Sequence, residues 1–376
     1  MVVRIPAAAH PPGVPAIRQV VRAVPAVREV GAVEAVEAET RFTIQWHITE
    51  RCNCRCLHCY QEEASAESSP QQLERFLTRI ENFFNQRQGI ITVTGGEPLL
   101  HPAFFTLLEK LNHPYGVLSN GTLIDVKTAA LLAERKPAFV QISIEGKEKT
   151  HDYIRGRGTY RAALEGIKNL RQVGIRVLIS FTAHQKNYLE LPAVARLGRR
   201  LGVDKVWVDR MIPAGNGCGI SGLNMEQSRQ LFFLMKKSRV AMDRALQFLA
   251  GGRPYKCQAG ISLMAIVPGG DVYPCRRMPI TAGNLINNTL EEIYQGEVMK
   301  RLRNEKSEGC FGCLYEKICR GGLRCLAYAL TGSPFNPDPA CWIADNIKKS
   351  KEEIAKAPPL GAIIADEKIR FWKRRK

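Results

Sequence analysis

The chain has 376 residues, 45% of them hydrophobic, with 54 Lys and Arg against 36 Asp and Glu and a formal net charge of +18. This length allows one sizeable core and a second, smaller one. The N-terminal stretch is interrupted by Arg and Pro, and no later apolar run is long enough to cross a bilayer, so we expect a cytoplasmic protein without a membrane anchor. The charge favours acidic partners, such as nucleic acid, a membrane surface or an acidic peptide, or reflects a solvated basic surface.

The N-terminal arm, residues 1–42, is rich in Ala, Val, Pro and Arg and has almost no aromatic residues. Proline interrupts any helical period there, so we predict a mostly disordered segment, unless the start codon is misassigned. From residue 43, short β-branched runs alternate with amphipathic stretches, which is typical of βα units around a parallel sheet. The predicted strands are FTIQWHIT, GIITVT, YGVLS, AFVQISI, RVLISFT and KVWVD, and the predicted helices cover 70–86, 102–112, 126–135, 160–173, 190–201 and 225–248.

Six βα units predict an α/β fold in which a partial, TIM-like (β/α)6 barrel spans 43–225, because a closed barrel needs eight units. The chemistry of such folds lies on the loops after the C-terminal ends of the strands. A helical linker is predicted at 226–254, then a small cysteine-rich domain at 255–345, and a final helix with a basic tail at 346–376. The cysteine-rich segment has few long apolar runs, so we expect bound metal to hold it together. The basic tail is either solvated or binds a partner.

Four of the twelve cysteines fall within eight residues, in the stretch CNCRCLHC. In a reducing cytosol such thiols are metal ligands, redox groups or buried apolar residues rather than a disulfide framework. Cys52, Cys56 and Cys59 are spaced C-x3-C-x2-C, and three thiolates on one loop can hold three irons of a [4Fe–4S] cluster while leaving the fourth iron open. A zinc site would need a fourth ligand, for which His58 is the candidate. Cys54 falls outside the triad.

The stretch CNCRCLHCY, followed about 35 residues later by TGGEP, resembles the radical S-adenosylmethionine (radical SAM) enzymes. The likeness covers residues 43 to about 225. It implies that Cys52, Cys56 and Cys59 hold a [4Fe–4S] cluster whose open iron binds SAM. It further implies an oxidoreductase-type enzyme that cleaves SAM reductively to a 5′-deoxyadenosyl radical, which abstracts hydrogen from the substrate.

The resemblance also implies a set of SAM-binding positions at the strand ends. Glycines let the backbone approach a ligand closely, and a carboxylate accepts hydrogen bonds from the SAM ammonium. The SNGT segment is equally typical of an ordinary turn, and an aromatic residue after a strand is as often part of the core. The implied positions are Gly95, Gly96 and Glu97 for the amino group, Asn120 and Ser143 for the carboxylate and ribose, and Tyr60 beside the adenine.

Seven further cysteines resemble the SPASM extension of these enzymes, which carries auxiliary iron–sulfur clusters. Its pattern would place a cysteine at position 323, but this sequence has Leu323 there and a thiol at Cys325 instead. The fourth ligand of one of the two implied clusters is therefore unassigned, and that cluster is open to substrate, takes a non-cysteine ligand or is of a smaller type. The Cys-x2-Cys pair alone also fits a zinc ribbon. By resemblance, Cys310, Cys313, Cys319 and Cys341 form the complete four-thiolate set, and Cys257, Cys275 and Cys325 form the other.

Several residues near the predicted substrate entrance have more than one interpretation. Cys218, in a Gly-rich loop after the sixth strand, is a radical-handling thiol, the missing auxiliary ligand or an uninvolved cysteine. Arg210, Arg276 and Arg277 either bind substrate carboxylates or form surface salt bridges. In relatives that mature sulfatases an acidic base follows the second SPASM cysteine, whereas here Arg276 follows Cys275, which argues against that activity.

The leading functional hypothesis is a radical SAM/SPASM enzyme that matures a peptide or protein by cross-linking, thioether formation, epimerisation or side-chain oxidation. An acidic peptide would suit the net charge, a reductant such as flavodoxin or ferredoxin would supply electrons, and a separate protein would bind the leader peptide. The alternative within the family is modification of a tetrapyrrole or haem precursor. From other classes, an iron–sulfur electron carrier would not need GGEP, and a zinc-dependent nucleic-acid-binding protein would need basic–aromatic stripes that are missing outside the tail.

Overall fold

A computed structural model describes residues 41–61, 67–240, 246, 257–313 and 315–343. The predictions for the N-terminal arm, for most of the linker and for the helix and basic tail at 346–376 therefore lie outside the described residues. In the part of the chain that is described, no helix has the length and apolar character required to cross a membrane.

A nine-stranded sheet organises the fold, in the order β6-β5-β4-β3-β2-β1-β7-β8-β9. Strands β1 to β6 are parallel to their neighbours, which confirms the expected α/β partial barrel with an open rather than closed sheet. All six strands predicted from β-branched runs are present. The strands are β1 Phe42–His47, β2 Gly89–Thr94, β3 Tyr115–Ser119, β4 Phe139–Ser143, β5 Val177–Ala183, β6 Lys205–Arg210, β7 Leu263–Ile266, β8 Asp271–Tyr273 and β9 Gly283–Asn284.

The helices that connect the barrel strands bury their apolar sides in the same core as the strands. Helix α1 shows how the sequence sets a boundary: the Ser69 side chain caps its first turn, Gln72 completes a capping box and Pro70 occupies the first position, where its missing N–H costs nothing. The helices are α1 Pro70–Phe84, α2 Phe104–Glu109, α3 Val126–Glu134, α4 Glu148–Arg155, α5 Thr159–Gln172, α6 Leu191–Arg200, α7 Met225–Lys237, α8 Leu290–Tyr294, α9 Glu297–Asn304, α10 Glu316–Cys319 and α11 Arg324–Thr331.

The first part of the cysteine-rich region joins the barrel sheet. Strand β7 pairs in parallel with β1, with Ile44 opposite Met264, and β8 and β9 add antiparallel strands beyond it. The Tyr294 ring packs edge-on against Phe42 and Phe83, with ring centroids 5.5 and 5.8 Å apart. The sequence predicts a separate, small cysteine-rich domain over 255–345. Instead, residues 263–299 contribute to the same apolar core as the barrel.

Candidate active site

The three cysteines of the C-x3-C-x2-C motif line one cavity of about 560 Å³ at the C-terminal ends of the barrel strands. Cys56 is buried, Cys59 is half-buried and Cys52 is exposed. Polar side chains from successive strand ends complete the wall. Five of the six predicted SAM-binding residues also line this cavity: Tyr60, Gly95, Gly96, Asn120 and Ser143.

Gly95 and Gly96 bring the loop after β2 against the cysteine loop. The Gly96 N–H donates to the Thr49 carbonyl at 2.9 Å, and the Glu97 N–H donates to the Arg51 carbonyl at 2.9 Å. A Cβ at Gly95 would lie 2.3 Å from the Thr49 carbonyl oxygen, and one at Gly96 would lie 2.4 Å from that of Arg51. Only glycine allows the two backbones to approach this closely.

The sixth predicted residue, Glu97, is fully buried and is not among the residues that line the cavity. Its carboxylate accepts hydrogen bonds from the Asn120 N–H at 2.7 Å and the Ser119 hydroxyl at 2.8 Å. Burial raises the pKa of Glu97 to about 7, although these two hydrogen bonds oppose the shift. Glu97 therefore ties the end of β3 to the loop after β2.

Cys54, which spacing excluded from the triad, lies between two of its members. Its thiol hydrogen bonds to Cys52 and Cys56 raise its own pKa. The hydrogen bond from Cys54 lowers the pKa of Cys52 to about 7 and that of Cys56 to about 5, with burial opposing both shifts. The thiolate is the form that binds iron, so these two shifts favour iron binding at Cys52 and Cys56, whereas burial raises the pKa of Cys59.

A buried network that the sequence analysis missed lies beside Cys56. The fully buried Glu145 carboxylate accepts hydrogen bonds from Arg155 at 2.6 Å and from the Thr182 N–H at 2.8 Å, and His58 Nε2 lies 3.3 Å from it. Burial by itself would raise the pKa of Glu145, but Arg155 and His58 hold it well below its usual range. Arg155 Nη1 also lies 3.5 Å from Cys56 Sγ. The sequence signal that could have revealed this network is the acidic residue Glu145, two positions after the predicted site residue Ser143.

The downstream cysteines form two groups. Cys319 illustrates the first, because burial and the nearby Cys341, Asp338 and Cys310 raise its pKa to about 12. In the second group, burial raises the pKa of Cys257, and Leu323 fills the apolar cluster where the family pattern has a cysteine. The first group, Cys310, Cys313, Cys319 and Cys341, lines a small cavity, and the second, Cys257, Cys275 and Cys325, packs within one apolar cluster.

Among the described residues, no three Cys, His, Asp or Glu side chains converge on a point where a single metal ion would be held. A structural zinc site requires four ligands close around one ion. The first downstream group instead surrounds a cavity, as the ligands of a polynuclear cluster do. Four thiolates are also the complete protein ligand set of a [4Fe–4S] cluster.

The remaining candidates lie in different surroundings. Arg210 is buried, and its guanidinium forms two hydrogen bonds with the Asp338 carboxylate, so the surface salt bridge considered for it is wrong. Arg276 and Arg277 line the cavity, and Arg277 lies 3.5 Å from Asp209. Cys218 is exposed and is not among the cavity-lining residues, although the neighbouring Gly217 N–H donates to the Cys59 carbonyl at 3.0 Å.

Comparison with known proteins decides the family. The chain matches the radical SAM superfamily over residues 46–197 and the SPASM iron–sulfur cluster-binding domain over residues 257–314. It is 30% identical to mycofactocin maturase MftC of Mycolicibacterium smegmatis, covering 82% of this chain and 85% of that protein. The chain is a radical SAM enzyme with a SPASM domain. Its cofactors are SAM and iron–sulfur clusters.

Not all proteins that are similar to this radical SAM/SPASM enzyme are named as maturases. Pre-heme d1 synthase of Dinoroseobacter shibae is 28% identical over 79% of this chain and 85% of that protein. Among solved structures, SuiB of Streptococcus suis bound to S-adenosylmethionine superposes with a TM-score of 0.66 at 18% identity, covering 81% of this chain and 78% of that one. Native anSMEcpe with AdoMet and the Cp18Cys peptide superposes with a TM-score of 0.64 at 19% identity, over 80% and 94% of the two chains. Both structures share the fold.

Proposed function

We propose that this enzyme matures a peptide or protein substrate. The observation that carries the proposal is the 30% identity to mycofactocin maturase over most of both chains. The fold is also that of SuiB, which has been solved with its precursor peptide SuiA. The cavity at the strand ends, of about 560 Å³, has the size of a small-molecule site.

In this proposal Cys52, Cys56 and Cys59 hold the SAM-binding cluster. When bound, the cluster and SAM supply the electron and the radical that takes hydrogen from the substrate. Arg155 and the Cys54 thiol stabilise the thiolate form of Cys56. The buried Glu145 holds Arg155 in position against that sulfur.

The SAM pocket is completed by residues at the strand ends. Asn120, Ser143 and Tyr60 line the cavity, and the Asn120 amide also hydrogen bonds to Asn53 and Thr122. Glu97 acts as a positioning residue, because its carboxylate holds the Asn120 backbone rather than facing the cavity. Cys310, Cys313, Cys319 and Cys341 hold one auxiliary cluster, and Cys257, Cys275 and Cys325 hold a second whose remaining ligand is unassigned.

The proposal includes two partners and one location. An external reductant such as flavodoxin or ferredoxin supplies the electron, and a separate protein recognises the leader of an acidic precursor peptide. The enzyme works in the cytoplasm, where a reducing environment preserves its thiols.

A second candidate is modification of a tetrapyrrole. The observation that favours it is the likeness to pre-heme d1 synthase and to Fe-coproporphyrin III synthase of Methanosarcina barkeri, which is 25% identical over 83% of this chain. The arginine-rich wall of the cavity would suit the acidic side chains of such a substrate.

One experiment separates the two candidates. Anaerobically reconstituted, dithionite-reduced enzyme is incubated with SAM and with each peptide encoded by the short reading frames beside its gene, and in parallel with coproporphyrin III. We expect a peptide mass change that requires SAM, accompanied by 5′-deoxyadenosine, and no change with the Cys56→Ala variant. Conversion of the porphyrin alone would replace the first proposal by the second.

A further inference from the structure

The cavity that contains the cysteine triad has a strongly basic wall. Six arginines line it, against two carboxylates, Glu50 and Asp209. Most of this positive charge is already neutralised by acidic neighbours. The pairs are Arg51 with Glu67, Arg155 with Glu145, Arg210 with Asp338 and Arg277 with Asp209.

Arg276 differs from these four. Its Nε is buried and has no hydrogen-bond partner in the described part of the chain, and no acidic side chain there forms an ion pair with it. Its guanidinium lies 6.0 Å from the centre of the Tyr60 ring, and its backbone N–H donates to Gln45 at 3.3 Å. A buried donor without a partner is costly, so this guanidinium is suited to an incoming anion.

Arg276 lies close to both the auxiliary cysteine group and the SAM-binding cysteine triad. It directly follows Cys275 of the auxiliary group, and the ring beneath it, Tyr60, directly follows Cys59 of the triad. Arg276 is thus held where the SPASM segment meets the radical SAM loop, on the wall of their common cavity. An anion bound here would lie in the same cavity as the SAM-binding cysteines.

The charge around Arg276 indicates what kind of anion fits. The neighbouring Arg277 is balanced by Asp209 at 3.5 Å, whereas the Nε of Arg276 has no hydrogen-bond partner in the described part of the chain. A planar guanidinium matches a carboxylate in a two-bonded geometry, and a monoanion leaves no excess charge. We infer that Arg276 binds a carboxylate of the substrate and so selects acidic substrates. This inference rests on the proposed function, because it assigns the anion to the molecule being modified.

Equilibrium dialysis of the reconstituted holoenzyme tests this inference with matched probes. One pool contains hexapeptides with a single carboxylate, placed either at the C-terminus or on one Asp or Glu, and its partner pool carries amides at those positions. Coproporphyrin III and its tetramethyl ester form a second matched pair. The proteins are wild type, Arg276→Gln, Arg276→Lys and the control Arg161→Gln, whose side chain is 81% exposed on α5.

We expect wild type and Arg161→Gln to retain acidic probes at least about tenfold better than their neutral partners. Arg276→Gln should lose this preference, and Arg276→Lys should recover part of it, because lysine keeps the charge but not the planar fork. Iron content and circular dichroism check that each variant is folded and loaded. Equal retention of acid and amide by wild type, or an unchanged preference in Arg276→Gln, would overturn the inference.

The same dialysis with labelled SAM separates this inference from the proposed function. We expect the affinity for SAM to be unchanged in Arg276→Gln. A loss of SAM binding instead would assign Arg276 to the cofactor and overturn the inference, while leaving peptide maturation untouched. Retention of the porphyrin acid but of no peptide acid would support the carboxylate site and refute the peptide substrate.

Discussion

The barrel and the cysteine-rich region after residue 303 differ in what stabilises them. The barrel buries long apolar strands, with Ile44, Trp46, Ile91 and Phe181 fully enclosed. In its described part, the last region contains the short helices α10 and α11 and surrounds a small cavity with four thiols. The first depends on hydrophobic burial, whereas the second depends on what its cysteines bind. We therefore expect iron to be required for the folding of the cysteine-rich region. In the barrel, we expect iron to be required for the chemistry but not for folding.

The largest expected effect comes from removing one auxiliary cluster. Replacing Cys310, Cys313, Cys319 and Cys341 together by Ala should leave residues 305–343 without the cross-link that holds them. Limited proteolysis should then cleave this segment at least about tenfold faster, because metal binding in such small regions is folding free energy. Wild type and the single exposed-thiol variant Cys218→Ala serve as controls. Equal protease resistance would show that packing alone holds the region.

A core substitution in the barrel should be nearly as damaging but independent of iron. Phe181 in β5 is fully buried, so Phe181→Ala should lower the free energy of unfolding by about 4 kcal/mol through the cavity it creates. Denaturant titration should give the same loss in iron-loaded and iron-free protein. Leu189→Ala, at a site 65% exposed, is the control and should have little effect. A loss seen only in loaded protein would contradict the comparison.

The ion pair that joins the two regions should give a smaller effect. Arg210 at the end of β6 and Asp338 ahead of Cys341 are both buried. Asp338→Ala leaves Arg210 uncompensated and should cost about 3 kcal/mol of unfolding free energy. The double variant Arg210→Met with Asp338→Leu should recover most of it, as measured by denaturant titration. Failure of the double variant to recover would show that the backbone N–H groups of Leu323 and Ala340, which donate to the Asp338 carboxylate, need the carboxylate itself.

The smallest expected effect is local to the barrel. Ser69→Ala removes the N-cap of α1 and should cost about 1 kcal/mol of unfolding free energy. Ser69→Asp keeps an accepting oxygen and should restore stability in the same thermal or denaturant measurement. Equal stability of all three proteins would mean that Pro70 and the packing of α1 already fix its first turn.

Much of the barrel could be predicted because its signals are local. All six strands follow runs of β-branched residues, and β2 and β3 have the predicted bounds. Helix α4 was missed because its sequence, EKTHDYIR, is short and mostly polar. The pairing of β7 with β1 was also missed, since Leu263 and Thr43 are 220 positions apart in the sequence and neither strand signals its partner. Residue types report local propensity, not long-range pairing.

In the candidate site, too, the features with a local sequence signal could be predicted and those that depend on long-range contacts could not. Motif spacing placed Cys52, Cys56 and Cys59 correctly on one cavity. It gave no sign that Cys54 hydrogen bonds to two of them, or that Glu145 and Arg155 form a buried pair beside Cys56. Nor did it show that Arg210 and Arg276, both basic residues near the cavity, differ in whether an acid neutralises them. Partners that come from separate elements are visible only once the fold is known.

The formation of 5′-deoxyadenosine tests the central claim most directly. Anaerobically reconstituted, dithionite-reduced enzyme is compared with the variant Cys52→Ala, Cys56→Ala, Cys59→Ala, with iron content and circular dichroism measured on both. We expect 5′-deoxyadenosine from wild type alone and a folded barrel in both proteins, because the barrel core is apolar. Equal formation by the triple variant, or none by iron-replete wild type, would contradict the assignment of the cysteine loop to a SAM-cleaving cluster.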